Sequence, residues 1–221
     1  MSTPGPRRNV PAELREKVGR FDATDALARI QGARPPGGGR PAAVLILLSR
    51  AGDDYEIVFV EKNADLRNHA GQIAFPGGTM EPDERDPVSA ALREAEEEAG
   101  IDPASVEVLG ALPKAHIRRS GFDVTSVIGW WRAPRRLVPT DPLEIQAVHQ
   151  LGVATLLDPA NRLTWELPNG YRGPAFVVGE LFIWGFTAYL LDALFDLLGW
   201  TLSWDETVTA PIPPRFFSER L

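Results

Sequence analysis

The sequence predicts an α/β domain, on three observations. Short β-prone apolar runs recur at Ala42–Ser49 (AAVLILLS), Ile57–Val60, Val106–Leu112 and Val124–Trp131. The stretch Phe75–Ile101, FPGGTMEPDERDPVSAALREAEEEAGI, carries the end signals of one helix, with Asp86 as N-cap, Pro87 at the first helical position and Gly100 as the stop. The most apolar segment, Glu180–Trp200, fits a second helix from about Gly185 to Leu198 that buries Leu190, Leu191, Leu194, Leu197 and Leu198. With 221 residues and 44% apolar content the chain has enough material for one core.

In chain order, residues 1–9 are polar and carry Pro and Gly, as mobile termini do. Pro11–Gln31 predicts one or two short helices with Leu14, Val18, Phe21, Leu27 and Ile30 inward. Ala33–Pro41 (ARPPGGGRP) reads as a linker. Because a strand follows at once, residues 1–41 are expected to form an arm packed on one domain, 42–221. The Gly77-Gly78 pair reads as a turn, Leu151–Pro159 as a short helical turn and Asn161–Gly173 as a hairpin-like connection. The last residues, PIPPRFFSERL, look extended. The aliphatic excess of Gly185–Leu198 suits core packing or a homodimer contact, core packing being the simpler reading.

Charge is distributed unevenly. Residues 81–98 hold eight acids and two arginines, net −6 of the chain's −7. At ~100° per residue, Val88, Ala91, Leu92, Ala95 and Ala99 share one helix face, while Glu94, Glu97 and Glu98 fall on the opposite side. Like charges at spacings of three and four cost a helix about 0.2–0.5 kcal/mol per pair. A divalent cation that prefers oxygen ligands would offset that cost. The alternative is a solvated acidic face, but acidity confined to the flank of a Gly-Gly turn, with Arg93 inside it, favours a metal site. Gly71, Gly77 and Gly78 let backbone approach a ligand without a Cβ in the way. Arg67 and His69 could meet phosphate oxygens; the plain alternative is a surface cap and a solvated loop histidine.

The stretch resembles the Nudix box: Gly, five residues, Glu, seven residues, then Arg-Glu-aliphatic-x-Glu-Glu-x-Gly-aliphatic. Gly78, Glu84, Arg93, Glu94, Ala95, Glu97, Glu98, Gly100 and Ile101 take those roles. Eight residues rather than seven separate Glu84 from Arg93, so Glu81 and Asp83 stand beside Glu84 as candidates for the first acidic position. The resemblance implies an α/β/α sandwich with a mixed sheet and a loop-helix-loop metal site. It also implies Mg²⁺ or Mn²⁺ held by Glu94, Glu97, Glu98 and the carbonyl of Gly77 or Gly78. The reaction implied is metal-assisted hydrolysis of a diphosphate, with Arg93 orienting Glu94.

A narrower resemblance covers Val58–Gly78, which is similar to the motif upstream of the box in the coenzyme A pyrophosphatase branch. Arg67, Gly71 and Phe75-Pro76-Gly77-Gly78 match in identity and spacing, while Val60, Lys62 and Asn63 replace Thr, Arg and a small residue. Lys62 keeps the charge without the bidentate fork. The branch implies a coenzyme A-like nucleotide substrate cut to 3′,5′-ADP and 4′-phosphopantetheine, with Arg67, His69, Gly77, Lys62 and Arg118 as binding candidates. Arg118 and its neighbour Arg119 suit a second phosphate or are plain loop charges. Asp141–Val148 is similar to the family segment that brings a further glutamate near the metals. Glu144 is therefore the alternative to Glu94 as the base that takes a proton from water, a plain surface glutamate being the other reading.

Other classes fall away or stay as rivals. Without cysteine there are no disulfides, thiol catalysis or cysteine-ligated zinc. No apolar run spans a membrane and the N-terminus lacks a signal-peptide core, so a cytoplasmic protein is expected. Net charge −7 argues against nucleic acid as a partner. The nearer rival is a Nudix hydrolase of ADP-ribose, dinucleoside polyphosphates or oxidised nucleotides. The farther one is a Nudix-fold binding module without turnover.

Overall fold

A computed structural model describes residues 8–21, 30, 37–66, 69–84, 86–117 and 120–216. Its central feature is β1 (Arg40–Ala51), the strand built by the AAVLILLS run, with β2 (Asp54–Lys62) returning antiparallel after a tight turn. β3 (Ile73–Ala74) pairs with β2, and β4 (Gly77–Thr79) pairs antiparallel with the opening half of β1. The Gly-Gly pair is thus a short strand rather than a turn. A Cβ on Gly77 would lie 2.4 Å from the Ala43 carbonyl oxygen and 2.6 Å from Val44 Cα, so only glycine lets β4 approach β1 this closely.

β5 (Val106–Ala111) and β6 (Ala115–Ile117) both pair antiparallel with β7 (Phe122–Trp131), which runs parallel to β1. β8 (Ile145–Gly152) closes the other side by pairing with β2. One parallel contact among antiparallel ones makes this the mixed sheet of the expected α/β fold. A second sheet joins β9 (Arg162–Glu166), β10 (Arg172–Val178), β11 (Leu181–Ile183) and β12 (Thr209–Pro211). The predicted hairpin-like connection is the β9–β10 hairpin itself.

Side chains alternate along the central strands and so define two cores. Ala43, Leu45, Leu47, Val58, Val60, Val127 and Trp131 face the helix that follows the glycine pair. Ile46, Leu48, Ile57, Phe59, Ile128 and Trp130 face the opposite layer. That layer contains α1 (Ala12–Gly19), the C-terminal helix (Gly185–Leu198) and the second sheet. Helix, sheet and helix-bearing layer form the α/β/α sandwich.

In α1, Leu14 and Val18 are buried as predicted, as is Ile30; Phe21 is half-buried and Leu27 lies outside the described residues. The Trp130 indole donates to the Arg8 carbonyl, tying the chain before α1 to β7. Leu190, Leu191, Leu194 and Leu198 enter the core and Leu197 is half-buried, so the aliphatic excess of this helix is spent on core packing. The C-terminal segment departs from the extended form: Pro214–Phe216 is a 3-10 turn, because Phe216 folds back against Phe182 and Trp184. No helix among the described residues is long and apolar enough to cross a membrane.

Candidate active site

The helix of the acidic stretch runs Pro87–Ala99 (α2, the first helix after α1 in the described residues). Asp86 caps it by accepting from the Ser89 N–H at 3.0 Å. Gly100 ends it at φ 65°, a left-handed conformation that glycine adopts without penalty. Its buried face corrects the expected one: Ala90, Ala91, Ala95, Glu98 and Ala99 are buried, whereas Val88 and Leu92 are only partly so. Four small alanines let the helix lie close to β1, and that proximity carries Glu98 inward to 2% exposure.

An ionised carboxylate at that depth needs donors. Glu98 has two: the Lys62 ammonium at 2.5 Å and the Gly77 N–H at 3.0 Å. Lys62 also reaches Glu144 at 2.7 Å, linking helix α2 to the residue before β8. Burial pushes Glu98 up to about 7 against the opposing pull of Lys62. Burial alone would lower the Lys62 pKa, but Glu98 and Glu144 outweigh it and hold the ammonium charged.

Arg93 is the second organiser. Its Nε lies 2.9 Å from Glu84 and its Nη1 is shared between Glu94 at 2.9 Å and Glu97 at 2.8 Å, while Nη2 donates to the Thr79 carbonyl. Of the three candidates for the first acidic position, Glu84 is thus the one paired with Arg93. The guanidinium holds the Glu84 carboxyl below its ordinary range, and Glu84 in turn raises Arg93. Burial raises Glu94. The carboxylates of Glu96, Glu97 and Glu98 crowd the negative end of the helix dipole, where Lys62, Arg93 and Arg135 (donating to the Gly100 carbonyl at 2.6 Å) offset them.

Gly77, Gly78, Thr79, Met80, Glu81, Pro82, Arg93, Glu94, Glu97 and Glu144 line a cleft of about 530 Å³. The structure therefore brings together Gly77, Gly78, Arg93, Glu94, Glu97 and Glu144, with Lys62 and Glu98 behind them. The expected convergence of Glu94, Glu97 and Glu98 is incomplete: among the described residues no three acidic or histidine side chains are grouped to hold one ion. The physical reason is that Arg93 gathers Glu94 and Glu97 while Lys62 gathers Glu98. Hard oxygen donors nevertheless suit a divalent cation, and Gly78 gives them room: a Cβ there would lie 2.4 Å from Glu94 Oε1.

His69 is apart from this group, exposed, at φ 60° and within 2.9 Å of Gln72 through Nδ1. Arg67 and Arg118 lie outside the described residues. His149, which has no partner evident in the sequence, meets Glu61 at 2.9 Å across the β2–β8 ladder. Sequence reasoning missed Met80, Pro82 and the Thr79 carbonyl as cleft components; their position directly after the glycine pair was the available signal. Arg93→Lys, which cannot bridge Glu84, Glu94 and Glu97 at once, is expected to lower kcat about 10–100-fold. A steady-state assay beside a thermal melt separates that loss from unfolding.

The NUDIX domain family matches residues 39–170. The chain is 34% identical over 186 residues to the protein described as uncharacterized Nudix hydrolase NudL of Pectobacterium atrosepticum, covering 79% of this chain and 93% of that one. The NudL of Shigella flexneri is 34% identical over 193 residues, covering 80% of this chain and 95% of that one. Among solved structures, the Nudix hydrolase RenU from M. smegmatis aligns with a TM-score of 0.49 at 18% identity, over 74% of this chain and 89% of that one.

Proposed function

The chain belongs to the Nudix hydrolase family, and on that premise we propose that it hydrolyses the diphosphate bond of coenzyme A or its acyl derivatives. The products are 3′,5′-ADP and 4′-phosphopantetheine or its acyl form. Nudix hydrolases use divalent metal ions and act on nucleotide derivatives; Mg²⁺ or Mn²⁺ is our reading for this one. The observation that carries the substrate reading is the continuity of motif and cleft. The Gly71…Phe75-Pro76-Gly77-Gly78 run, which resembles the coenzyme A branch, ends on two glycines that line the cleft and touch Glu98 and Glu94.

Glu94, Glu97 and Glu98, with the Gly78 carbonyl, are the residues that would hold the ion. When bound, it supplies charge for the diphosphate oxygens and a more acidic water. Arg93 fixes Glu94 and Glu97, and Glu84 fixes Arg93. Glu94 and Glu144 both line the cleft as candidate bases; burial raises the Glu94 pKa, and each is paired with a cation, Glu94 with Arg93 and Glu144 with Lys62. Of the binding candidates, Gly77 lines the cleft and, with Arg67 and Arg118, is assigned to the substrate phosphates, whereas His69 stands apart from the cleft and Lys62 serves Glu98 and Glu144.

Wild type incubated with coenzyme A, and separately with ADP-ribose, in millimolar Mg²⁺ or Mn²⁺ tests this reading. Release of 3′,5′-ADP from coenzyme A at the higher kcat/KM is expected. Cleavage of ADP-ribose alone keeps the chemistry and removes the substrate assignment; turnover of neither removes both.

A further inference from the structure

Asn63 occupies a position where the resembled motif has a small residue, and its side chain makes a contact a small residue could not. Its Nδ2 donates to the Pro142 carbonyl at 2.9 Å, while its backbone N–H donates to the Glu144 carbonyl at 2.7 Å. Its Oδ1 accepts from Asp65 N–H at 2.9 Å, so the same side chain is anchored in the loop after β2. From the other side, Asp141 closes the turn: Oδ1 accepts from Leu143 N–H at 2.9 Å, and its carbonyl accepts from Glu144 and Ile145. The Asp141–Glu144 turn is therefore pinned at both ends.

What this turn presents is unusual for a pinned element. Leu143 is 84% exposed, although it precedes the cleft-lining Glu144. Scattered surface leucines need no explanation, but the backbone of this one is held by Asp141, one residue before the cleft-lining Glu144, and the cleft already has Met80 and Pro82 in its wall. A backbone already held in place leaves only the side chain to order on contact with a ligand. Resting on the diphosphate-hydrolase reading above, we propose that the Asn63-clamped turn is the substrate-selecting rim of the cleft, with Leu143 meeting an apolar arm on the non-nucleotide side of the diphosphate.

Wild type, Leu143→Ser and Asn63→Ala are compared on coenzyme A, the hexyl ester of ADP, and ADP-ribose. Leu143→Ser is expected to lower kcat/KM about tenfold on hexyl-ADP, and in the same direction on coenzyme A, whose arm carries a gem-dimethyl group beside the phosphate, chiefly through KM, and to change ADP-ribose by less than about twofold. Its melting temperature should stay at the wild-type value. Asn63→Ala, which removes the bond to the Pro142 carbonyl but keeps the backbone N–H that meets Glu144, should shift selectivity in the same direction. Equal effects of Leu143→Ser on all three substrates, or none, overturn the inference. A wild type that cleaves hexyl-ADP and ADP-ribose but not coenzyme A overturns only the coenzyme A assignment, and the rim is then judged on the hexyl-to-ribose ratio. Cleavage of ADP-ribose alone, or of nothing, overturns both.

Discussion

On the metal-holding role proposed for Glu98, its replacement by glutamine is expected to lower kcat roughly 10³-fold, since a charge lost from a metal site is worth several kcal/mol in the transition state. Glutamine keeps the size and an oxygen for the Gly77 N–H, so the fold has no steric reason to change. What it removes is the buried negative charge that Lys62 now meets at 2.5 Å. Glu97, exposed and held only by Arg93 among its described contacts, offers the internal comparison: Glu97→Gln should cost about tenfold. Steady-state kinetics with a parallel Mn²⁺ titration reads both effects, and a Glu98→Gln enzyme near wild-type kcat would remove Glu98 from the site.

The same residue predicts a pH signature in stability. The buried Glu98 carboxyl rises from the ordinary 4.5 to about 7, so the folded protein binds this proton more tightly than the unfolded chain does. Its contribution is fully present below 4.5 and is lost as pH rises through 7, a change of roughly 3 kcal/mol at most. Melting temperature measured from pH 4.5 to 8 in a chelator should therefore fall less steeply in Glu98→Gln than in wild type. Parallel curves would show that burial does not govern this carboxyl.

Alanine at Gly77 is expected to be the most destabilising single change near the site. Its Cβ would meet the Ala43 carbonyl at 2.4 Å and Val44 Cα at 2.6 Å, backbone atoms of the central strand that cannot step aside. A loss on the order of 3 kcal/mol follows, or a melting temperature lower by about 8 °C for a chain of this size. Alanine one residue later should behave in the opposite way. At Gly78 the nearest atoms belong to the Glu94 carboxylate, at 2.4 to 2.8 Å, and that side-chain end can swing away. Gly78→Ala should melt close to wild type, yet lose about 10²-fold in kcat, because a displacement near 1 Å of a catalytic group costs that much. A thermal melt and an assay on both variants decide the matter; a stable Gly77→Ala protein would contradict the close β4–β1 approach.

Local signals in the sequence specified helix α2, its N-cap and its glycine stop, because capping and 3.6-residue periodicity involve only neighbours in the chain. The same locality made the AAVLILLS and VTSVIGWW strands legible, whereas the convergence that spacing suggested for Glu94, Glu97 and Glu98 is broken by Arg93, which gathers the first two, and Lys62, which gathers the third. Folding in three dimensions settled what depends on partners distant in sequence. Which carboxylate is buried followed from the approach of four alanines to β1 and from Lys62, 36 residues upstream of Glu98. That the glycine pair is a strand followed from the Ala43–Val44 backbone, and that Glu84 serves Arg93 followed from the path of the loop between them. The fold of the C-terminal turn depended on Phe216 finding Trp184 and Phe182. Periodicity tells a residue which face of its own element it occupies; only the packed chain tells it which charge or backbone group it will meet there.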